Sequence, residues 1–202
     1  MTVKRTKSIL LAAMLILAIS PTASASPVAP GLMKAIEGRY DDMLKAVRST
    51  DDKEAQRTGL RKAMDAFVDF DEMGRRTMAG TWDSLNAKQR KAFIAEFKQL
   101  IQRTYVRRFD AEQQFEVEYK GEPETEPDGA FLVHSIIRAG RSEVNVDYRF
   151  HRKGKAWWAF DVVIDDVSMI RNYRKQFHDI QAKEGFDGLM ARLVKRNREQ
   201  AE

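Results

Sequence analysis

The chain contains no cysteine. That excludes disulfides, thiolate metal sites and a cysteine nucleophile, and with them a lipid-modified N-terminal cysteine. Histidine is limited to His134, His151 and His178, which fall on different elements without paired ligand spacing. They are a poor basis for a metal centre. No phosphate-cradling glycine loop, dinucleotide fingerprint or nucleophile elbow is present. The charge is also less than it looks. Removing Lys4, Arg5 and Lys7 takes 35 basic residues to 32, against 30 acidic ones, which leaves +2. No basic stripe or recognition helix accompanies that balance, so nucleic acid is not an expected partner.

Only one long apolar run exists, Ile9 to Ile19, and its 11 residues fall short of the roughly 20 that a spanning helix needs. A basic start before it and Ala23-Ser24-Ala25 after it complete the pattern of a cleavable secretory signal peptide over residues 1–25. Residues 26–202 are then expected to form a single exported domain, most simply periplasmic, large enough for a sizeable core.

After Pro30 and Gly31, the spacing of Leu32, Met33, Ile36, Tyr40, Met43, Leu44 and Val47 predicts an amphipathic helix. A second helix carries Leu60, Met64 and Phe67, weakened in its middle turns by Gly59. A short one begins at Asp69-Phe70-Asp71 and stops at Gly80. Asn86 and Gln89 read as a capping box for a long helix with Phe93, Ile94, Phe97, Leu100, Ile101, Thr104 and Tyr105 on one face. Past Asp110 the period changes from 3.6 to 2. Four strands are expected, at Phe115–Tyr119, Phe131–Ile137, Val144–Phe150 and Ala156–Asp165, with Gly121 to Gly129 as a turn region. Two further helices carry Ile170, Tyr173, Phe177 and Ile180, then Phe186, Leu189, Met190 and Leu193, on either side of Gly185. The charged tail after Val194 is expected to fray. The fold class is α+β: a four-stranded antiparallel meander with N- and C-terminal helices covering one face.

Candidate chemistry is sparse. Asp161 lies mid-strand among apolar neighbours, where a carboxylate could have a raised pKa and act as a base. Strand alternation instead puts it opposite the apolar face, on the outer side, paired with a cross-strand arginine such as Arg149. Asp165 and Asp166 point to opposite faces and suit a turn better than acid–base work. Arg103, Arg107, Arg108, Arg171, Arg174 and Lys175 could meet phosphates or an anionic membrane, or form a solvated helix face.

The segment VDYRFHRKGKAWWAFDVVIDDVSMIRNYRKQF, followed by EGFDGLMARL, resembles the MlaC (toluene-tolerance) family of periplasmic phospholipid-binding proteins. FDFDEMGRRTMAGTW and QRKAFIAEFKQLIQRTY upstream are similar to the same family, so the likeness covers roughly Phe67 to Leu193. It departs locally. Asp165-Asp166 stands where the family commonly has Glu-Gly; if that glycine serves a backbone of positive φ, Asp166 would tolerate it better than most residues, and Gly80 lies only two residues before Trp82. The resemblance implies a nuclear-transport-factor-like cone whose curved sheet and helices enclose an apolar lipid cavity. It implies no enzyme activity and no cofactor, with bound phospholipid as cargo. The implied partners are an inner-membrane ABC transporter with its substrate-binding component and an outer-membrane lipoprotein complex. The implied role is to maintain outer-membrane lipid asymmetry, with the carrier acting as a monomer.

Residues expected to line such a cavity are Val144, Val146, Tyr148 and Phe150 beside Trp158, Phe160, Val162 and Ile164. Val167, Met169, Ile170, Tyr173 and Phe177 would close over them, with Phe97, Ile101 and Tyr105 from the long helix. The apolar pattern alone fits a filled core as well as a cavity. Two other readings stand beside the phospholipid carrier: a carrier of a hopanoid or other bacterial lipid, and a cone-fold enzyme on an apolar small molecule with Asp161 as base.

Overall fold

The computed structural model describes residues 29, 31–106, 115–139 and 141–200. The signal-peptide segment, and Arg107 and Arg108, lie outside the described residues. Helices α1 (Leu32–Arg48), α2 (Lys53–Phe67), α3 (Phe70–Thr77) and α4 (Ala87–Val106) come first, with a single 3-10 turn at Trp82–Ser84. Strands β1 (Phe115–Thr125), β2 (Phe131–Ala139), β3 (Ser142–Lys153), β4 (Ala156–Ile164) and β5 (Val167–Ser168) follow, then helix α5 (Met169–Glu199). The sheet is an antiparallel meander in the order β1-β2-β3-β4-β5. Among the described residues, no helix is long and apolar enough to cross a membrane.

Side-chain caps set where the helices start. Asp52 accepts hydrogen bonds from the Glu54 and Ala55 amides at 2.8 and 3.1 Å, and opens α2. Asp69 does the same for α3 through the Glu72 amide at 3.1 Å. The capping box ahead of α4 is formed in both directions. The Gln89 amide donates to Asn86 Oδ1 at 2.9 Å, and the Asn86 amide donates to Gln89 Oε1 at 3.0 Å. Gly59 is accounted for by packing. A Cβ there would lie 3.1 Å from the Ala46 Cβ, so the glycine lets α2 approach the backbone of α1.

The structure corrects the sequence-based expectations at four places. A fifth, two-residue strand follows β4. The Gly121–Gly129 region is not all turn, because β1 continues to Thr125 with a register break between Lys120 and Glu124. The chain after Val194 stays helical to Glu199, since Asn197 Nδ2 donates to the Glu96 carbonyl at 2.9 Å and to its carboxylate at 2.7 Å. The fourth correction is a bulge in β4. Arg149 pairs with Asp161 and Phe150 with Ala159, which leaves Phe160 without an opposite residue. Val146 and Tyr148 therefore still sit beside Ile164 and Val162, but Trp158 is opposite His151 on the other face. Phe160 turns into the core, under the Arg76 guanidinium at 4.1 Å from the ring centre.

Burial separates into distinct regions. The main core lies where α3, α4 and α5 meet β4, around Phe93, Phe97, Tyr173 and Phe177, whose ring centres are 5.4–5.8 Å apart. A second cluster packs Leu32 and Ile36 of α1 on Val133, Phe150 and Ala159 of the sheet, with Phe67 edge-on to Tyr148 and Phe150. The opposite sheet face is wet. Arg138 there bridges Glu118 and Glu143 at 2.5 and 2.8 Å, and His134 meets Asp147 at 3.0 Å.

Two predictions follow from local geometry. Asp165 and Asp166 form the β4–β5 turn with φ of 45° and 66°, a left-handed backbone that costs most L-residues energy. Asp166→Gly is expected to raise stability by up to about 1 kcal/mol, read as an increase in Tm. On α3, the Arg75 side chain, then Arg76, holds the Glu72 carboxyl down to about 2 from its ordinary 4.5, against the effect of burial. The stabilisation is complete above that ordinary value and is lost as pH falls through 4.5 toward 2. Thermal melts between pH 6 and pH 2 should show the advantage of wild type over Glu72→Gln shrinking across that window.

Candidate functional site: an apolar pocket under the first two helices

The side chains at Ile36, Arg39, Tyr40 and Met43 recur at three- and four-residue spacing, so one face of α1 is turned to the sheet. Ala63, Met64 and Phe67 approach from α2. Val117 and Tyr119 of β1 and Tyr148 of β3 share a sheet face, since Tyr119 pairs with Ser135, Ser135 with Val146, and Val146 lies two residues from Tyr148. Together these residues line a pocket of about 110 Å³ between α1, α2 and the sheet.

Its chemistry is that of a holding site. Six of the lining side chains are apolar, three are phenols and one is a guanidinium. Burial pushes the Tyr148 hydroxyl up to about 12 and raises Tyr119 and Tyr40 above the ordinary 10.0, so all three stay protonated at neutral pH. They are hydrogen-bonding groups in an apolar wall, not bases. Among the described residues, no three His, Asp or Glu side chains converge in a way that could hold a metal ion.

Asp161 is elsewhere, and its surroundings differ from the expected outer face. It is 2% exposed. The anticipated partner is present, with Arg149 Nη1 donating to Oδ2 at 3.0 Å. Ser168 Oγ donates to the same oxygen at 2.6 Å, and the Ile170 amide donates to Oδ1 at 3.1 Å. The side chain is buried because α5 begins directly against β4. It is a structural carboxylate that does not line the pocket.

Of the residues expected to line a cavity, the structure brings Tyr148 alone to this pocket. Phe97, Ile101, Phe160, Met169, Ile170, Tyr173 and Phe177 are buried together in the main core, with Tyr105 and Val162 at its edge. Phe150 lies in the second cluster. Val146 is buried opposite Ile164, Val144 and Trp158 are half-buried, and Val167 is 56% exposed. Ile36, Arg39, Tyr40, Met43, Ala63, Met64, Phe67, Val117 and Tyr119 line this pocket and were not among the expected residues. The α1 stripe and the β1 alternation were visible; what was missing was that these two faces look at each other.

A second concavity of about 300 Å³ runs between α3 and α5. Arg171, Arg174 and Lys175 line it, and two of them are tied to the backbone. Arg174 donates to the Arg76 carbonyl at 2.7 and 3.1 Å, and Arg171 to the Asp166 carbonyl at 3.2 Å.

An antiparallel meander with helices packed at its β4 edge and a small apolar pocket on one face defines an α+β protein of a fold already seen in solved structures. One is a phospholipid-binding protein from Ralstonia solanacearum, solved in complex with a phospholipid. The likeness has a TM-score of 0.75 at 23% identity and covers 84% of this chain and 98% of that one. The chain belongs to the MlaC family, whose profile, described as MlaC protein, matches residues 38–195. A relative is the intermembrane phospholipid transport system binding protein MlaC of Haemophilus influenzae, 23% identical over 141 residues. That match covers 68% of this chain and 66% of the relative's length.

The Asp161 environment gives a direct test. Asp161→Ala would leave Arg149 and Ser168 facing an empty, buried site, a loss expected to cost about 3 kcal/mol or more. Urea titration should show a lower midpoint with little change in slope.

Proposed function

We propose that this protein is a periplasmic phospholipid carrier. It would be exported by a signal peptide over residues 1–25 and would work as the single domain of residues 26–202. In this reading it moves lipid between an inner-membrane ABC transporter with its substrate-binding component and an outer-membrane lipoprotein complex. It thereby maintains outer-membrane lipid asymmetry and catalyses no reaction. The observation that carries the reading is the apolar pocket of Ile36, Met43, Met64, Phe67, Val117 and Tyr148, lying between sheet and helices in a chain of this family. The Haemophilus relative's name and the phospholipid in the Ralstonia structure support it.

The pocket's size constrains the mechanism. Sites for drug-sized ligands span about 300 to 1,000 Å³, and this one offers about 110 Å³. In this reading, lipid is loaded as α1 and α2 draw away from the sheet. Close packing at Gly59 couples the two helices, so they would move together. Burial of acyl chains gives about 0.8 kcal/mol per CH₂, so a ~16-carbon chain is worth on the order of 12 kcal/mol. A membrane offers the same lipid nearly as much. Escape into water would then be slow, and transfer should need a docked acceptor.

Native mass spectrometry and solvent extraction of protein purified from periplasm test the reading. Diacyl phospholipid of matching mass is the expected result. A triterpenoid would point to a hopanoid carrier, and protein that neither carries nor takes up lipid from vesicles would sink the carrier reading. Ala63→Trp, which fills the pocket, should cut lipid loading by about tenfold or more while leaving the Tm of empty protein within a few degrees.

A further inference from the structure

Arg39 is the one pocket-lining side chain that is ionised at neutral pH. It sits on the same α1 face as Ile36 and Met43, so its aliphatic stem joins the apolar wall while its residue remains exposed at the mouth. Most arginines in the fold are committed. Arg76, Arg149, Arg174 and Arg192 all hold carboxylates or carbonyls. Arg39 makes no hydrogen bond or ion pair with another described residue.

The surrounding charge is mixed, with carboxylates in the majority. Glu37 and Asp41 are close enough to raise the pKa of Tyr119, and Asp41 and Glu116 act the same way on Tyr40. Arg48, in the last turn of α1, acts on Tyr40 in the opposite sense but does not line the pocket. A lipid whose tails occupy the apolar interior leaves its polar end at this mouth. If that end is a phosphodiester, Glu37, Asp41 and Glu116 nearby disfavour it, and Arg39 is the cation on the pocket lining that can seat it. A guanidinium fits this task, because its planar fork can donate two hydrogen bonds to a phosphate.

We propose that Arg39 is the specificity-determining residue of the pocket, holding the phosphate of a bound lipid and so favouring phosphodiester lipids over neutral diacyl lipids. This deepens the carrier reading and rests on it. The acyl chains supply the binding energy, and Arg39 decides which polar end is accepted. The two roles separate cleanly, since the tails of phosphatidylcholine and diacylglycerol can be made identical.

The experiment loads delipidated protein from vesicles containing phosphatidylcholine and diacylglycerol with the same chains, and counts each bound lipid by native mass spectrometry. Wild type should prefer phosphatidylcholine. Arg39→Gln keeps a good helix former on an exposed site. It should lower phosphatidylcholine loading by about tenfold relative to diacylglycerol, and Arg39→Lys, which keeps the charge but loses the planar fork, should restore only part of the preference. A phosphatidylcholine-to-diacylglycerol ratio that is the same in wild type and Arg39→Gln would overturn the role of Arg39 while leaving the carrier intact. Wild-type protein that takes up neither lipid would overturn the carrier reading and this proposal together.

Discussion

One buried carboxylate joins the sheet to its long covering helix. Asp161 of β4 takes a guanidinium from β3, a hydroxyl from the cap of α5 and a backbone amide from the first turn of that helix. Burying a carboxylate costs several kcal/mol unless it is paired and hydrogen-bonded. Here the pairing is spread over three elements, so β3, β4 and the start of α5 must all be in place together. The helix N-terminus adds favourable electrostatics of its own. Arg149 extends the connection, since its Nε also holds Glu126 in the β1–β2 turn at 2.9 Å. The bulge one residue away completes the arrangement. It turns Phe160 into the core while Asp161 keeps its place opposite Arg149.

That junction divides the molecule. At the β4 edge the aromatic residues of α4 and α5 fill the space they enclose, and the result is a close-packed core. Under α1 and α2 the packing is thinner. Only Leu32, Ile36 and Val47 of α1 are buried, and Leu60 alone of α2. Regions with few buried apolar contacts open at lower free energy than the core does. The part of the fold best able to admit a ligand is therefore the part that the Asp161 junction does not hold.

Much of this was legible in the sequence, and the exceptions have physical causes. Helix stripes, the Asn86–Gln89 capping box, the switch to period 2 and the break at Gly185 all express local geometry, and each has its counterpart in the structure. Alternation along β4 could not foresee a bulge, and one inserted residue was enough to move Trp158 to the other face and Phe160 into the core. Strand alternation put Asp161 opposite the apolar face and beside Arg149, but it carries no information about a helix starting beside the strand and burying it. The pocket was the least legible feature. It is made where α1 and α2 meet β1 and β3, and no local pattern specifies that packing. The conspicuous aromatic residues of the C-terminal half were drawn instead to the main core.

The small size of the pocket follows from the same physics. A residual cavity costs about 24 cal/mol per Å³, so a dry void of about 500 Å³ would cost roughly 12 kcal/mol, as much as the whole net stability of a domain. A dry space of that size is therefore strongly disfavoured in a folded domain, and the small pocket under α1 and α2 is consistent with that cost. Of the two helices over the pocket, α1 is the one that lies away from the aromatic core, because Met64 and Phe67 of α2 also pack against that core.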